Sequence, residues 1–144
     1  MTISTPAVEA VAPDTPPIAT FDVVVLDTPD PHGLAGFYSA LLGWHIDPAE
    51  NRDDWVTIRG GAGTGIAFQL APDHVPPTWP DNSIPQQLHL DVDVPDLDIA
   101  EQQVLAIGAR ATGEPREPAN FRVYLDPAGH PFCLCLSPDR SPAG

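Results

Sequence analysis

Apolar residues recur at two spacings along this chain, every second position over short stretches and every third or fourth over two longer ones. Phe21 to Leu26 (FDVVVL) is apolar and β-branched and stops at Asp27-Thr28-Pro29-Asp30-Pro31, a pattern that predicts a buried strand. Leu34, Phe37, Tyr38, Leu41 and Leu42 then form one helical stripe, opened by Asp30 as a cap with Pro31 in the first turn and closed by Gly43. Trp44 to Ile46, Trp55 to Arg59 and Ile66 to Ala71 read as strands, the last two joined by Gly60-Gly61-Ala62-Gly63. The first half therefore spells βαβββ.

The second half repeats that order. Gln87 to Val94 alternates cleanly, with Leu88, Leu90, Val92 and Val94 on one face and His89, Asp91 and Asp93 on the other. Asp96 caps a helix with apolar Leu97, Ala100, Val104 and Ile107, and Gly108 stops it. Strands are expected around Ala109 to Thr112, Phe121 to Leu125 and Phe132 to Ser137. The duplication is visible in residues too: VVVLDTPD at 23–30 and HLDVDVPD at 89–96 share a constant offset of 66. Duplicated units of this size enclose a concave surface between them, which is where a small molecule binds.

The expected fold class is α+β, two βαβββ modules forming a cupped, mostly antiparallel sheet with helices on the convex side. The greasy face of each strand must meet the helices, so the alternate set lines the open side. The boundaries follow: a mobile, Pro-rich tail over 1–20, a single domain over 21–138, and a short tail over 139–144. Within the domain, the modules cover 21–71 and 86–138, and an extended linker with Pro72, Pro76, Pro77, Pro80 and Trp79 runs over 72–85.

Composition then removes function classes. The chain has 144 residues and a formal charge of −14, from 20 acids against six bases that are all arginine. Such a field repels phosphate backbones and anionic lipid, which argues against nucleic-acid and membrane-surface roles. The opening residues lack the basic start and continuous apolar run of a secretion signal. Cys133 and Cys135 stand two apart on one strand face, too far apart for a comfortable disulfide, so a reducing cytoplasm is the simplest location.

The two βαβββ halves, Phe37-Tyr38 followed by Leu41-Leu42-Gly43, and Asp126-Pro127-Ala128-Gly129-His130-Pro131-Phe132 before the last strand carry a resemblance. Over residues 21 to 137 the chain resembles the vicinal oxygen chelate superfamily, in its glyoxalase and bleomycin-resistance branch. The resemblance implies a sheet rolled into a cup, a dimer near the site, and small-molecule chemistry: isomerisation, epimerisation, ring cleavage, thiol transfer to an antibiotic, or drug sequestration. It also implies a divalent ion such as Zn, Ni, Mn or Fe, held at positions that fall here on Val23, Gln69, His89 and Cys133. Val23 supplies no donor and Gln69 only a neutral carbonyl, whereas a Lewis-acid ion needs about three or four anionic or imidazole donors. The inherited metal site is therefore expected to be degenerate, with no strongly held cofactor; His89, Gln69 and Cys133 remain the metal candidates, with Asp91 as a helper.

Without a metal, His89 is the catalytic candidate, a general base with Asp91 two residues along the same face. Their backbones lie ~6–7 Å apart in a strand, so side-chain contact does not follow from spacing. Trp55 and Phe121 open corresponding strands and are candidates to stack on a flat ligand beside Gln69, Asp91 and Cys133, with Trp79 as a lid. His130, by contrast, is expected to be exposed, and His32, His45 and His74 show no ligand spacing. Two readings stay open: a binder of a small organic ligand in the concave cleft, and a metal-dependent or His-based lyase or isomerase. A module acting through a protein partner ranks behind both. Unpaired sheet edges and an apolar rim predict a homodimer.

Overall fold

In the computed structural model, which describes residues 9–79 and 81–136, the expected βαβββ order appears twice. The first module holds β1 (Val23–Thr28), α1 (Pro31–Leu42), β2 (His45–Asn51), β3 (Trp55–Arg59) and β4 (Gly65–Leu70). The second holds β5 (Leu90–Val94), α2 (Leu97–Ala106), β6 (Arg110–Ala111), β7 (Phe121–Leu125) and β8 (Pro131–Leu136). Of the expected N-terminal tail, residues 9–20 form no helix or strand and are exposed. Residues 1–8 and the whole C-terminal tail fall outside the described residues.

The helix ends form as their sequences dictate. Asp30 accepts a hydrogen bond from the Gly33 backbone N–H at 3.0 Å, and Asp96 accepts one from Ile99 at 2.9 Å, so each cap satisfies an orphan donor. Gly43 ends α1 at φ 69°, where its N–H returns to the Ser39 carbonyl.

The eight strands divide into two open four-stranded sheets in place of one rolled sheet, ordered β1-β4-β3-β2 and β5-β8-β7-β6. In each sheet the first and last strands of the module pair in parallel and the other two pairings are antiparallel. Most strand boundaries shift by a residue or two from the sequence reading, and three shifts change the picture. β1 extends through Asp27 and Thr28. β2 runs on to Asn51 because an irregularity between Ile46 and Asn51 absorbs Pro48. β5 begins at Leu90, which leaves His89 immediately ahead of the strand.

Both modules share one core. Leu26, Ile58 and Phe68 of the first sheet and Tyr124, Phe132 and Leu134 of the second are buried in the same cluster as Leu34, Phe37 and Tyr38 of α1. Tyr38 stacks on Phe68 at 5.6 Å, and Phe37 meets Phe132 edge-on at 5.8 Å, so α1 reaches both sheets. The alternate residues of each strand, among them Asp91, Cys133 and Phe121, are left for the opposite face.

Candidate functional site

The open face of the second sheet is assembled from β5, β8 and β7. Leu90, Val92 and Val94 pack against the core, while Asp91 and Asp93 are exposed. The strand register then sets the rows: Asp91 pairs with Cys133 and Cys133 with Val123, while Asp93 pairs with Cys135 and Cys135 with Phe121. Because β5 and β8 run parallel in register, a carboxylate on the edge strand and a thiol on its neighbour are brought side by side.

His89 bends back towards this row. Its Nε2 lies 3.2 Å from Asp91 Oδ1, with side chains 42% and 60% exposed, so the contact that strand spacing left open is made at the surface. One donor atom from each of His89, Asp91 and Cys133 lies within 4.8 Å of the others. Cys133 itself is buried, and that burial, reinforced by the negative charge and hydrogen bond of Asp91, pushes its thiol up to about 12.

Two adjoining cavities lie on this face. One, about 320 Å³, is lined by His89, Asp91, Asn120, Phe121, Cys133 and Cys135; the other, about 220 Å³, adds Trp79, Gln86 and Val123. His89, Phe121 and Cys133 belong to both, so the cavities form one groove running under the linker. Trp79, from the linker, is among the residues lining the second of these cavities. Gln86 was not singled out in the sequence: it is one of two adjacent glutamines after Pro85, and nothing local marks it. Its side-chain oxygen is buried without a hydrogen-bond partner.

The remaining candidates sit elsewhere. Gln69 lines a cavity of about 360 Å³ with Val25, Asp27, His74, Leu88 and His130, separate from the groove that holds His89. Trp55 is beside Gln69 in register on β3, its indole N–H donating to Glu50 at 3.0 Å and to Thr57 at 2.9 Å. Arg59, on the same face, is held by Asp22, Asp47 and Glu50. His130 is half-buried and not free in solvent: its Nε2 donates to the Asp27 carbonyl at 2.6 Å, and its ring lies 4.8 Å from that of His74. Fifty-six residues separate those two histidines, so only the folded linker brings them together.

Two sheets of matching strand order, each backed by a helix, are the architecture of the vicinal oxygen chelate class. Residues 23–135 match the model of the glyoxalase-like domain, and the chain belongs to that family. No functionally curated protein matches it in sequence. Among solved structures, it is similar to a glyoxalase/bleomycin resistance protein/dioxygenase family enzyme from Burkholderia phytofirmans PsJN. The two are 20% identical with a TM-score of 0.64, over 82% of this chain and 98% of that one. It is also similar to a glyoxalase-related enzyme from Fulvimarina pelagi, at 18% identity and TM-score 0.57, over 84% of this chain and 90% of that one. The fosfomycin resistance protein FosX from Listeria monocytogenes is 13% identical with a TM-score of 0.60, over 83% of this chain and 94% of that one. At these identities the likeness establishes the fold.

The family implies a divalent ion, and the four positions it would use do not fit one here. Val23 has no donor atom, and Gln69 lines a different cavity from His89 and Cys133. A different set, His89 with Asp91 and Cys133, has both the donor chemistry and the proximity. Among the described residues no helix is long and apolar enough to cross a membrane.

Proposed function

We propose that this chain binds a small organic molecule in the groove over the second sheet, between the linker and the row formed by Asp91, Cys133 and Val123. The observation that carries the reading is the sharing of His89, Phe121 and Cys133 by two adjoining cavities. An aromatic ring 37% exposed stands there beside an imidazole and a carboxylate, the mixture of apolar lining and few polar groups that small-molecule sites use. Phe121 and Trp79 offer flat surfaces to a planar ligand. Asp91 and the overall charge of −14 favour one that carries a hydrogen-bond donor or a positive charge. Mass spectrometry of the gently purified chain tests this: a retained small molecule that Phe121→Ala releases supports it, and a ligand held equally by that variant opposes it.

The 3.2 Å contact between His89 and Asp91 favours a second reading, a lyase or isomerase in which His89 is the general base. Asp91 then orients the imidazole by the contact already described. On an identified substrate, His89→Ala should abolish turnover with folding intact.

We also propose a homodimer and a reducing cytoplasmic location. The free edges of β1 and β5, with Val25, Leu70 and Leu88 exposed near them, support the first. The unbridged Cys133 and Cys135 support the second.

A further inference from the structure

On the reading that the groove over the second sheet holds a small molecule, we infer that the site continues past Phe121 into a third compartment, which takes a peptide-like arm of that molecule as an added rung on the open edge of β7. The ligand is thereby narrowed to compounds that join a flat ring to an aminoacyl unit.

The compartment exists because the two modules differ at one edge. In the first, β2 runs for seven residues and only residues 52–54 connect it to β3. In the second, β6 has two residues and a longer loop, 112–120, leads to β7. That loop encloses a cavity of about 370 Å³, whose lining includes Glu101, Glu114, Arg116, Ala119, Phe121 and Val123. Phe121 also lines both cavities of the groove and Val123 one of them, so the three spaces meet at this ring.

The edge beside that cavity is unsatisfied. Trp55 and Phe121 are related by the offset of 66 that joins the modules. Trp55 exchanges two backbone hydrogen bonds with Arg52 of its short turn, at 2.9 and 3.4 Å. Phe121 has no such neighbour. Two residues along β7, the Val123 N–H donates to the Glu114 carbonyl at 3.0 Å and the Val123 carbonyl accepts the Thr112 N–H at 3.3 Å, so both groups point away from β8. Backbone groups two residues apart on a strand point to the same side, which turns those of Phe121 outward as well. Among the described residues neither its N–H nor its carbonyl has a hydrogen-bond partner.

One residue that offers both an N–H and a carbonyl completes such an edge, as an extended peptide does when it adds to a sheet. Arg52 shows the geometry inside this same chain. The charges around the compartment suit a polar arm without net charge. Tyr124 donates to Glu101 at 2.7 Å and Arg122 to Asp98 at 2.8 Å, which fixes the inner wall. On the loop, Arg116 lies 3.8 Å from Glu114 with its side chain 89% exposed, so it is free to turn towards the arm.

Calorimetric titration of the full chain with phenethylamine, phenylalanylglycinamide and phenylalanylsarcosinamide tests this. The first carries a ring and an ammonium alone, the second adds a residue with N–H and carbonyl, and the third caps that N–H with a methyl group. The glycine probe should bind about three- to tenfold tighter than either of the others, the effect of one or two hydrogen bonds. Ala119→Trp, at an exposed lining position, should fill the compartment and erase that gain while phenethylamine binds as before. Hydrogen exchange followed by NMR should show the Phe121 amide slowed by the glycine probe. Equal affinity for the glycine and sarcosine probes overturns the inference, as does a gain that survives Ala119→Trp, an unprotected Phe121 amide in the saturated complex, or no binding of any probe. The two claims fail separately. Phenethylamine binding that Phe121→Ala weakens, with no gain from the glycine residue, keeps the groove and removes the compartment, whereas Phe121 amide protection with affinity indifferent to Phe121→Ala and His89→Ala does the reverse.

Discussion

The hydroxyl of Tyr38 donates to the Asp126 carboxylate at 2.6 Å across 88 residues of sequence, and both groups are buried. The same carboxylate accepts the backbone N–H groups of Ala128 at 2.8 Å and His130 at 3.0 Å. One side chain thus fixes the turn that launches β8 and ties it to α1 of the other module. Burial and the neighbouring negative charge raise the Tyr38 hydroxyl far above its ordinary value, so it remains a donor at any working pH. The position of Cys133, and with it the groove, depends on this link.

Removing either partner should therefore destabilise the whole domain. Tyr38→Phe strips one donor from a buried acceptor that keeps two others, and should lower unfolding free energy by about 1–2 kcal/mol. Asp126→Ala orphans the tyrosine hydroxyl and two backbone donors, and should cost roughly 3 kcal/mol or more. Urea denaturation of the three proteins gives both values, and equal stability of all three would mean that the link is idle.

Stability should fall in alkaline solution. The Cys133 thiol ionises near its ordinary value of 9.0 in the unfolded chain but is pushed up to about 12 in the folded one, by burial first and by Asp91 second. Between those values the folded state holds the extra proton, so its stability is complete below pH 9.0 and is lost as the pH rises towards 12. Unfolding free energy measured from pH 8 to 11 should decline more steeply in the native chain than in Cys133→Ala. Parallel slopes would contradict this origin.

Gly129 sits at φ 90°, and a Cβ there would lie 2.5 Å from Cβ of Pro76 in the linker. Gly129→Ala meets both an unfavourable backbone conformation and a collision. It should cost about 1–3 kcal/mol by thermal or urea unfolding. The linker should also loosen over the turn, breaking the 3.1 Å hydrogen bond from His74 Nε2 to the Ala128 carbonyl; the imidazole resonances of His74 and His130 report that directly.

Arg59 gathers Asp22, Asp47 and Glu50 at 2.8, 3.1 and 3.0 Å on the open face of the first sheet. Its hydrogen bonds to Asp22, Asp47 and Glu50 raise the guanidinium, and Asp47 is lowered by a backbone hydrogen bond from Ala49 and by Arg59. Arg59→Gln leaves three carboxylates facing one another. The melting temperature should drop, and added salt should narrow the gap to the native chain by screening the repulsion. A gap independent of salt would assign the loss to packing.

The local grammar was readable in the residues. Asp30 and Asp96 cap their helices, Gly43 ends α1, and the alternation of Leu90, Val92 and Val94 with Asp91 and Asp93 sorts core from open face. What spacing could not supply was non-local. Whether eight strands close into one sheet or two depends on hydrogen bonds between β1 and β5 that no local signal encodes. Pro48 hid the far half of β2 because proline is tolerated only at an irregularity. The separation of Gln69 from His89, the orphaned Gln86 and the His74–His130 pair all depend on how the proline-rich linker folds back. Its composition predicts extension and says nothing about where it lands.

The most direct measurement compares ligand retention, by native mass spectrometry, among Phe121→Ala, His89→Ala and Gln69→Ala chains purified alongside the unaltered one. Phe121→Ala and His89→Ala should lose the bound molecule, while Gln69→Ala should keep it. Retention by Phe121→Ala and His89→Ala with loss from Gln69→Ala would instead place the ligand in the cavity lined by Gln69, His74 and His130.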